Sequence, residues 1–140
     1  MGYLEEIKAR GRDANPFMKH MGIEVESFGG GHCQLSTTVG PSMLNGQGWL
    51  QGGLYVALCD EAMALALYTA IKEGELIATI SESTDYLRGV REGRVVATGL
   101  VRRSGRRVAF TEGCLHEGSA DGPLLSQTRA SFLIIRQKDR

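Results

Sequence analysis

The chain has no surplus of charge of either sign. Sixteen Lys and Arg balance 16 Asp and Glu among 140 residues, so nothing in the balance calls for nucleic acid or an anionic membrane surface as partner. Cysteine and histidine are scarce as well. Cys33, Cys59 and Cys114 are odd in number and include no Cys-x-x-Cys pair, which argues against a secreted disulfide framework and for reduced thiols in a cytoplasmic setting. His20, His32 and His116 show no ligand spacing, so no metal site is expected. No basic-then-apolar leader opens the chain, and a signal peptide is not expected. One apolar stretch, residues 54–71, approaches the length of a membrane span. Asp60 and Glu61 lie inside it, and each would add about 2.5 to 3.5 kcal/mol to insertion. The stretch therefore reads as the core helix of a soluble protein with no membrane partner.

That helix and the glycine-rich loop before it organise the rest. Between Leu54 and Ile71 only Asp60, Glu61 and Thr69 interrupt the apolar residues, a pattern for a helix covered on nearly every side. The two carboxylates are its anomaly, because acidic side chains are rarely buried without a partner. A start near Gln51 or Gly52 leaves free N–H groups and the positive dipole end there, suited to a developing negative charge. Asp60 lies about two turns on, roughly 11 to 12 Å along the axis. One small reacting group cannot touch both, so a shared reaction calls for two antiparallel copies, Gly52 of one facing Asp60 of the other.

Before the loop, residues 2–13 hold Tyr3, Leu4 and Ile7 at helical spacing, and Asn15-Pro16 has the chemistry of a second helix start. Residues 1–21 thus form a peripheral helical cap. Residues 23–28 and 32–39 alternate as strands around Gly29-Gly30-Gly31, a hairpin. The central helix is expected to close at Lys72-Glu73-Gly74. Four stretches rich in Val, Ile, Thr, Leu or Phe follow, at 76–87, 94–103, 107–116 and 124–135, with Ser104-Gly105 a tight turn. Their connections suit an antiparallel meander. One α+β domain over residues 1–140 results, its sheet curled around one helix.

These features together resemble the hotdog-fold acyl-CoA thioesterases, particularly the phenylacetate-pathway type. The resemblance rests on Asn45, on Gln51-Gly52-Gly53, on Leu58-Cys59-Asp60-Glu61-Ala62, on Asp85-Tyr86-Leu87-Arg88, on Gly93-x-x-Val-Ala-Thr98, and on the run from Arg102 to Arg107. It implies a homodimer or homotetramer with active sites at the dimer interface. There the Gly52 N–H, beside Gly53, polarises the thioester carbonyl, and Asp60 of the partner chain acts as nucleophile or general base. Asn45 and Gln51 would orient the carbonyl or the water, and Thr79 would help hold that water. The products would be a carboxylic acid and coenzyme A, with no cofactor beyond the coenzyme A of the substrate.

Many relatives carry His-Gly-Gly where this chain has Gln51-Gly52-Gly53. Glutamine keeps a positioning role but cannot titrate near neutral pH. Chemistry then rests on Asp60, and a hotdog hydratase or dehydratase becomes a weaker alternative that would need His32 or His116. A non-catalytic acyl-CoA-binding module is the other alternative. Glu61 points about 100° away from Asp60 and reads as structural, with an exchange of roles open. Arg88, Arg102, Arg103, Arg106 and Arg107 offer a basic rim for the phosphates of coenzyme A, or simply solvated strand ends. Trp49, Met63 and Tyr68 fit an acyl pocket or core filling. The acyl group, aryl or short to medium aliphatic, is not specified.

Overall fold

The computed structural model describes residues 2–136; the outermost positions of the expected 1–140 unit lie outside the described residues. Helix α1 (Tyr3–Arg10), a 3₁₀ turn and helix α2 (Pro16–Met21) form the N-terminal cap. Asn15 starts α2 as anticipated, its Oδ1 accepting from the N–H groups of Phe17 and Met18 at 3.0 and 3.2 Å, with Pro16 in the first helical position. The cap is less peripheral than its place in the chain suggests. Ile7, Met18 and Met21 are buried in the main core.

Strands β1 (Glu24–Gly29) and β2 (His32–Val39) make the hairpin, and a loop leads to α3 (Gly52–Tyr68). Strands β3 (Leu76–Tyr86), β4 (Gly93–Ser104), β5 (Val108–Glu117) and β6 (Leu124–Ile135) complete one antiparallel sheet in the order β1-β2-β4-β5-β6-β3. Only β4, β5 and β6 form the meander. Strand β3 departs from it and pairs with β6 at the far edge, because the connector after it crosses the entry to α3 instead of turning back. There Val90 is buried, its carbonyl accepts from the Leu50 N–H at 2.8 Å, and the Arg88 carbonyl accepts from the Tyr55 hydroxyl at 3.0 Å. The β4–β5 turn also sits two residues later than expected. Gly105 donates to the Val108 carbonyl at 2.9 Å, so Arg106 and Arg107 form the tip.

The sheet's inner face covers α3. Leu58, Cys59, Ala62, Met63, Leu65, Ala66 and Leu67 are buried, and each large side chain among them contributes on the order of 2 kcal/mol. The helix approaches so closely because the sheet is dented beneath it. A Cβ on Gly99 would fall into the Ala62 carbonyl group and lie 2.7 Å from the Met63 amide nitrogen. The helix ends at Tyr68, four residues before Lys72. Thr69 stops it, its hydroxyl donating to the Ala66 carbonyl at 2.6 Å while its side chain also receives the Gly31 N–H at 2.8 Å.

Coverage of α3 is incomplete along one stripe. Gly53 is exposed, and Val56, Ala57, Asp60, Glu61, Ala64 and Tyr68 are only half-buried, at the three- and four-residue spacing of a single face. Both carboxylates lie on it, which is how an otherwise apolar helix tolerates them. Among the described residues no helix is long and apolar enough to cross a membrane.

Candidate active site

The stripe floors a groove of about 220 Å³ between the N-terminal cap and β3, with Asp60, Glu61 and Ala64 below, Tyr3 and Asn15 on one side, and Ile77, Thr79 and Phe132 on the other. Thr79 donates its hydroxyl to Asp60 Oδ1 at 3.2 Å. A second carboxyl group, Glu82, stands within hydrogen-bonding reach of Asp60. Burial first, and then the neighbouring Asp60 carboxylate, push Glu82 up to about 8 from an ordinary 4.5.

Glu82 reaches this position through an irregularity in β3. The β3–β6 register shifts between Thr79 and Ser81, leaving Ile80 as an extra residue, 55% exposed. Ile77 and Thr79 face the groove; beyond the bulge the inward parity changes, and Glu82, Thr84 and Tyr86 point toward the helix side, as their contacts with Asp60, Thr128 and Gly52 show. Strict alternation along residues 76–87 hides Glu82, and the sequence reading does not single it out. Its one signal is an acidic residue, besides Asp85, in a run of Thr, Ser and mostly apolar residues.

Glu61 sits at the other margin of the stripe. Asn15 Nδ2 donates to Glu61 Oε2 at 2.9 Å and to the Tyr3 hydroxyl at 2.8 Å. Burial raises the Glu61 carboxyl above its ordinary range, the Asn15 hydrogen bond opposes the rise, and the Asp60 charge adds to it. Tyr3 is pushed up to about 12, chiefly by burial. Asn15 was legible as a helix cap, but its bond to Glu61, 46 residues away, was not.

At the N-terminus of α3, Gln51 is the cap residue, its side chain making no capping bond. The N–H groups of Gly52 and Gly53 meet no acceptor among the described residues. Tyr86 reaches this end of the helix, its hydroxyl donating to the Gly52 carbonyl at 2.8 Å and its ring lying 3.6 Å from where a Gly52 Cβ would be. Asn45 closes the preceding loop: its Oδ1 accepts from the N–H groups of Gln47 and Trp49 at 3.0 and 3.1 Å, so its Nδ2 is the end that faces elsewhere. Trp49 packs on Gly89 and under the Arg91 guanidinium, 3.8 Å from the ring centre.

The structure brings Asp60, Glu61 and Thr79 into one groove, but Gly52, eight residues from Asp60, is about 12 Å away along the helix. The arginines are divided too. Arg88 lies beside Tyr55 at the entry to α3, whereas Arg106 lines a separate cleft with Ala70 and Lys72 past the other end. Arg102 is paired with Glu112 at 2.8 Å on the outer face, and Arg103 neighbours it on β4. No histidine lines the groove. Among the described residues no group of three or more His, Cys, Asp or Glu is placed to hold a metal ion.

Residues 47–121 match the model of the thioesterase superfamily. The medium/long-chain acyl-CoA thioesterase YigI of Escherichia coli is 31% identical over 116 residues, 72% of this chain and 75% of that protein. Among solved structures, a thioesterase from Haemophilus influenzae is similar with a TM-score of 0.79 at 25% identity, covering 87% of this chain and 84% of that one. A variant of the phenylacetic acid degradation protein PaaI from Thermus thermophilus gives 0.77 at 27%, covering 85% and 98%. The curled sheet around one long helix is the hotdog architecture expected from the sequence, and the chain belongs to the thioesterase superfamily.

Proposed function

We propose that this protein is an acyl-CoA thioesterase that hydrolyses its substrate to the carboxylic acid and coenzyme A at sites shared by two antiparallel chains. The observation that carries this reading is the pairing of an open N-terminus at Gly52 and Gly53 with a carboxylate, Asp60, on the same uncovered stripe of α3 but two turns further on. Two such helices laid stripe to stripe in opposite directions bring each Gly52 to the other chain's Asp60. The thioester carbonyl accepts from the Gly52 N–H, whose helix dipole stabilises the oxyanion. Asp60 attacks the carbonyl carbon and coenzyme A leaves as its thiolate, after which water hydrolyses the resulting mixed anhydride to the acid and frees Asp60; or Asp60 takes a proton from a water that attacks the carbonyl directly, again expelling the thiolate. Thr79 holds the Asp60 carboxylate in place.

Gln51 and the free end of Asn45 would orient the carbonyl or the water. Arg88 of one chain and Arg103 and Arg106 of the other would meet the phosphates only across such a pair. The groove's apolar residues, Ala64, Ile77 and Phe132, suit an aryl or short-to-medium acyl group. YigI is named for medium and long chains, which argues for including longer chains in a substrate panel. Three free thiols support a reducing, cytoplasmic setting. Thiol release from aryl- and alkyl-CoA thioesters, measured for wild type and Asp60→Asn together, tests the reading. Release that depends on Asp60 supports it; tight acyl-CoA binding without release from any substrate makes the protein a binder.

A further inference from the structure

Two carboxyl groups in contact rarely both carry charge, and the cost grows as water is excluded. Asp60 and Glu82 are such a pair. Glu82 Oε1 is shut off from solvent and has no hydrogen-bond partner among the described residues, which a neutral acid tolerates far better than a carboxylate. Asp60 Oδ1 already receives the Thr79 hydroxyl, so the carboxylate is the acceptor on this side of the pair.

We propose that Glu82 is a positioning residue for Asp60: its carboxyl group, turned inward by the bulge at Ile80, donates one shared proton to the Asp60 carboxylate and holds it oriented toward the groove. The inference rests on Asp60 being the reacting carboxylate. With Thr79, Glu82 supplies a second O–H donor to Asp60 from β3, so two side chains on one strand fix the aim of a side chain on the helix.

Among the described residues no cation faces the pair. Beside Glu82, α3 presents Asp60 and Cys59, with Glu61 next to Asp60. Burial pushes the Cys59 thiol up to about 12 and keeps it neutral. Strand β6 offers buried Thr128 and Ala130 opposite, while Arg129 between them is exposed on the outer face. With Glu82 at about 8, the shared proton is in place at neutral pH and is lost as the pH rises through that value.

The test compares the pH profile of thiol release for wild type, Glu82→Gln, Glu82→Ala and Asp60→Asn. Wild-type kcat should fall above pH 8. Glu82→Gln, which keeps a donor but cannot lose it, should lower kcat about three- to ten-fold and abolish that fall, and Glu82→Ala should lower it further, to about a hundredth. A wild-type alkaline fall in Glu82→Gln, or full activity in Glu82→Ala, overturns the role of Glu82. Full activity in Asp60→Asn overturns instead the reading of Asp60. Infrared difference spectra at neutral pH decide the protonation without turnover: wild type should show a protonated-carboxyl carbonyl band that Glu82→Gln lacks, and identical spectra would overturn the proposal.

Discussion

Gly99 of β4 stands directly opposite Gly113 of β5 in the ladder, and α3 crosses the sheet over that pair. The two glycines differ in what a methyl group would meet. At Gly99 it meets helix backbone at under 3 Å, the Ala62 carbonyl and the Met63 amide; at Gly113 the contacts are looser, the Cys59 Cβ at 3.0 Å, the Met63 Cγ, which can turn aside, at 3.1 Å and the Cys59 carbonyl oxygen at 3.3 Å. Gly99→Ala is therefore expected to cost about 3 kcal/mol or more and to lift the helix from the sheet, and Gly113→Ala about 1 to 2 kcal/mol. Chemical denaturation of the two variants checks the order.

The pH dependence of stability follows from Glu82 and Glu61. A carboxyl group raised in the folded state keeps a proton that the unfolded chain has lost, so the folded state binds more protons between the two values and stability falls as pH rises. For Glu82 that window runs from 4.5 to about 8, and the raised Glu61 acts in the same direction. The Tm of wild type should decline across this window more steeply than that of Glu82→Gln. Parallel curves would show that Glu82 titrates normally.

Asn15 joins two tasks, capping α2 and bonding Glu61. Asn15→Ala loses both and should cost about 1 to 3 kcal/mol. Asn15→Asp keeps an acceptor for the cap but places a negative charge beside Glu61, so its deficit should shrink under acid conditions where Glu61 is protonated. Thermal melts of both variants at two pH values separate the tasks.

Gly52 occupies the first position of α3, where proline is accommodated, and the preceding Gln51 at φ −61° and ψ 131° already has the extended backbone that a following proline requires. Gly52→Pro thus deletes one N–H with little disturbance of the helix. Thiol release should fall about 100- to 1,000-fold, with Tm nearly unchanged. Unaltered kcat would remove this N–H from the reaction.

Much of this was legible in the sequence. The central helix, the hairpin and all six strands follow from apolar runs and glycine punctuation, and the 124–135 strand coincides with β6 residue for residue. What escaped is set by contacts between distant segments. The helix stops at Tyr68 because Thr69 finds partners at Ala66 and Gly31, while Ala70 and Ile71 continue an apolar composition that gives no warning. The pairing of β3 with β6 is equally invisible to local pattern. Asp60 and Thr79 are found in one groove from the family pattern alone, but Glu82 required the bulge at Ile80, since one extra residue reverses which side chains face the helix.

The central claim, that Gly52 and Asp60 of different chains make one site, is tested most directly by mixing two inactive variants. Asp60→Asn retains Gly52, Gly52→Pro retains Asp60, and a mixed antiparallel pair rebuilds one complete site of two. After dissociation and random reassociation, activity should return to about a quarter of the wild-type value. If mixed pairs form, as differently tagged subunits would report, and no activity returns, the two residues do not serve one site across the interface.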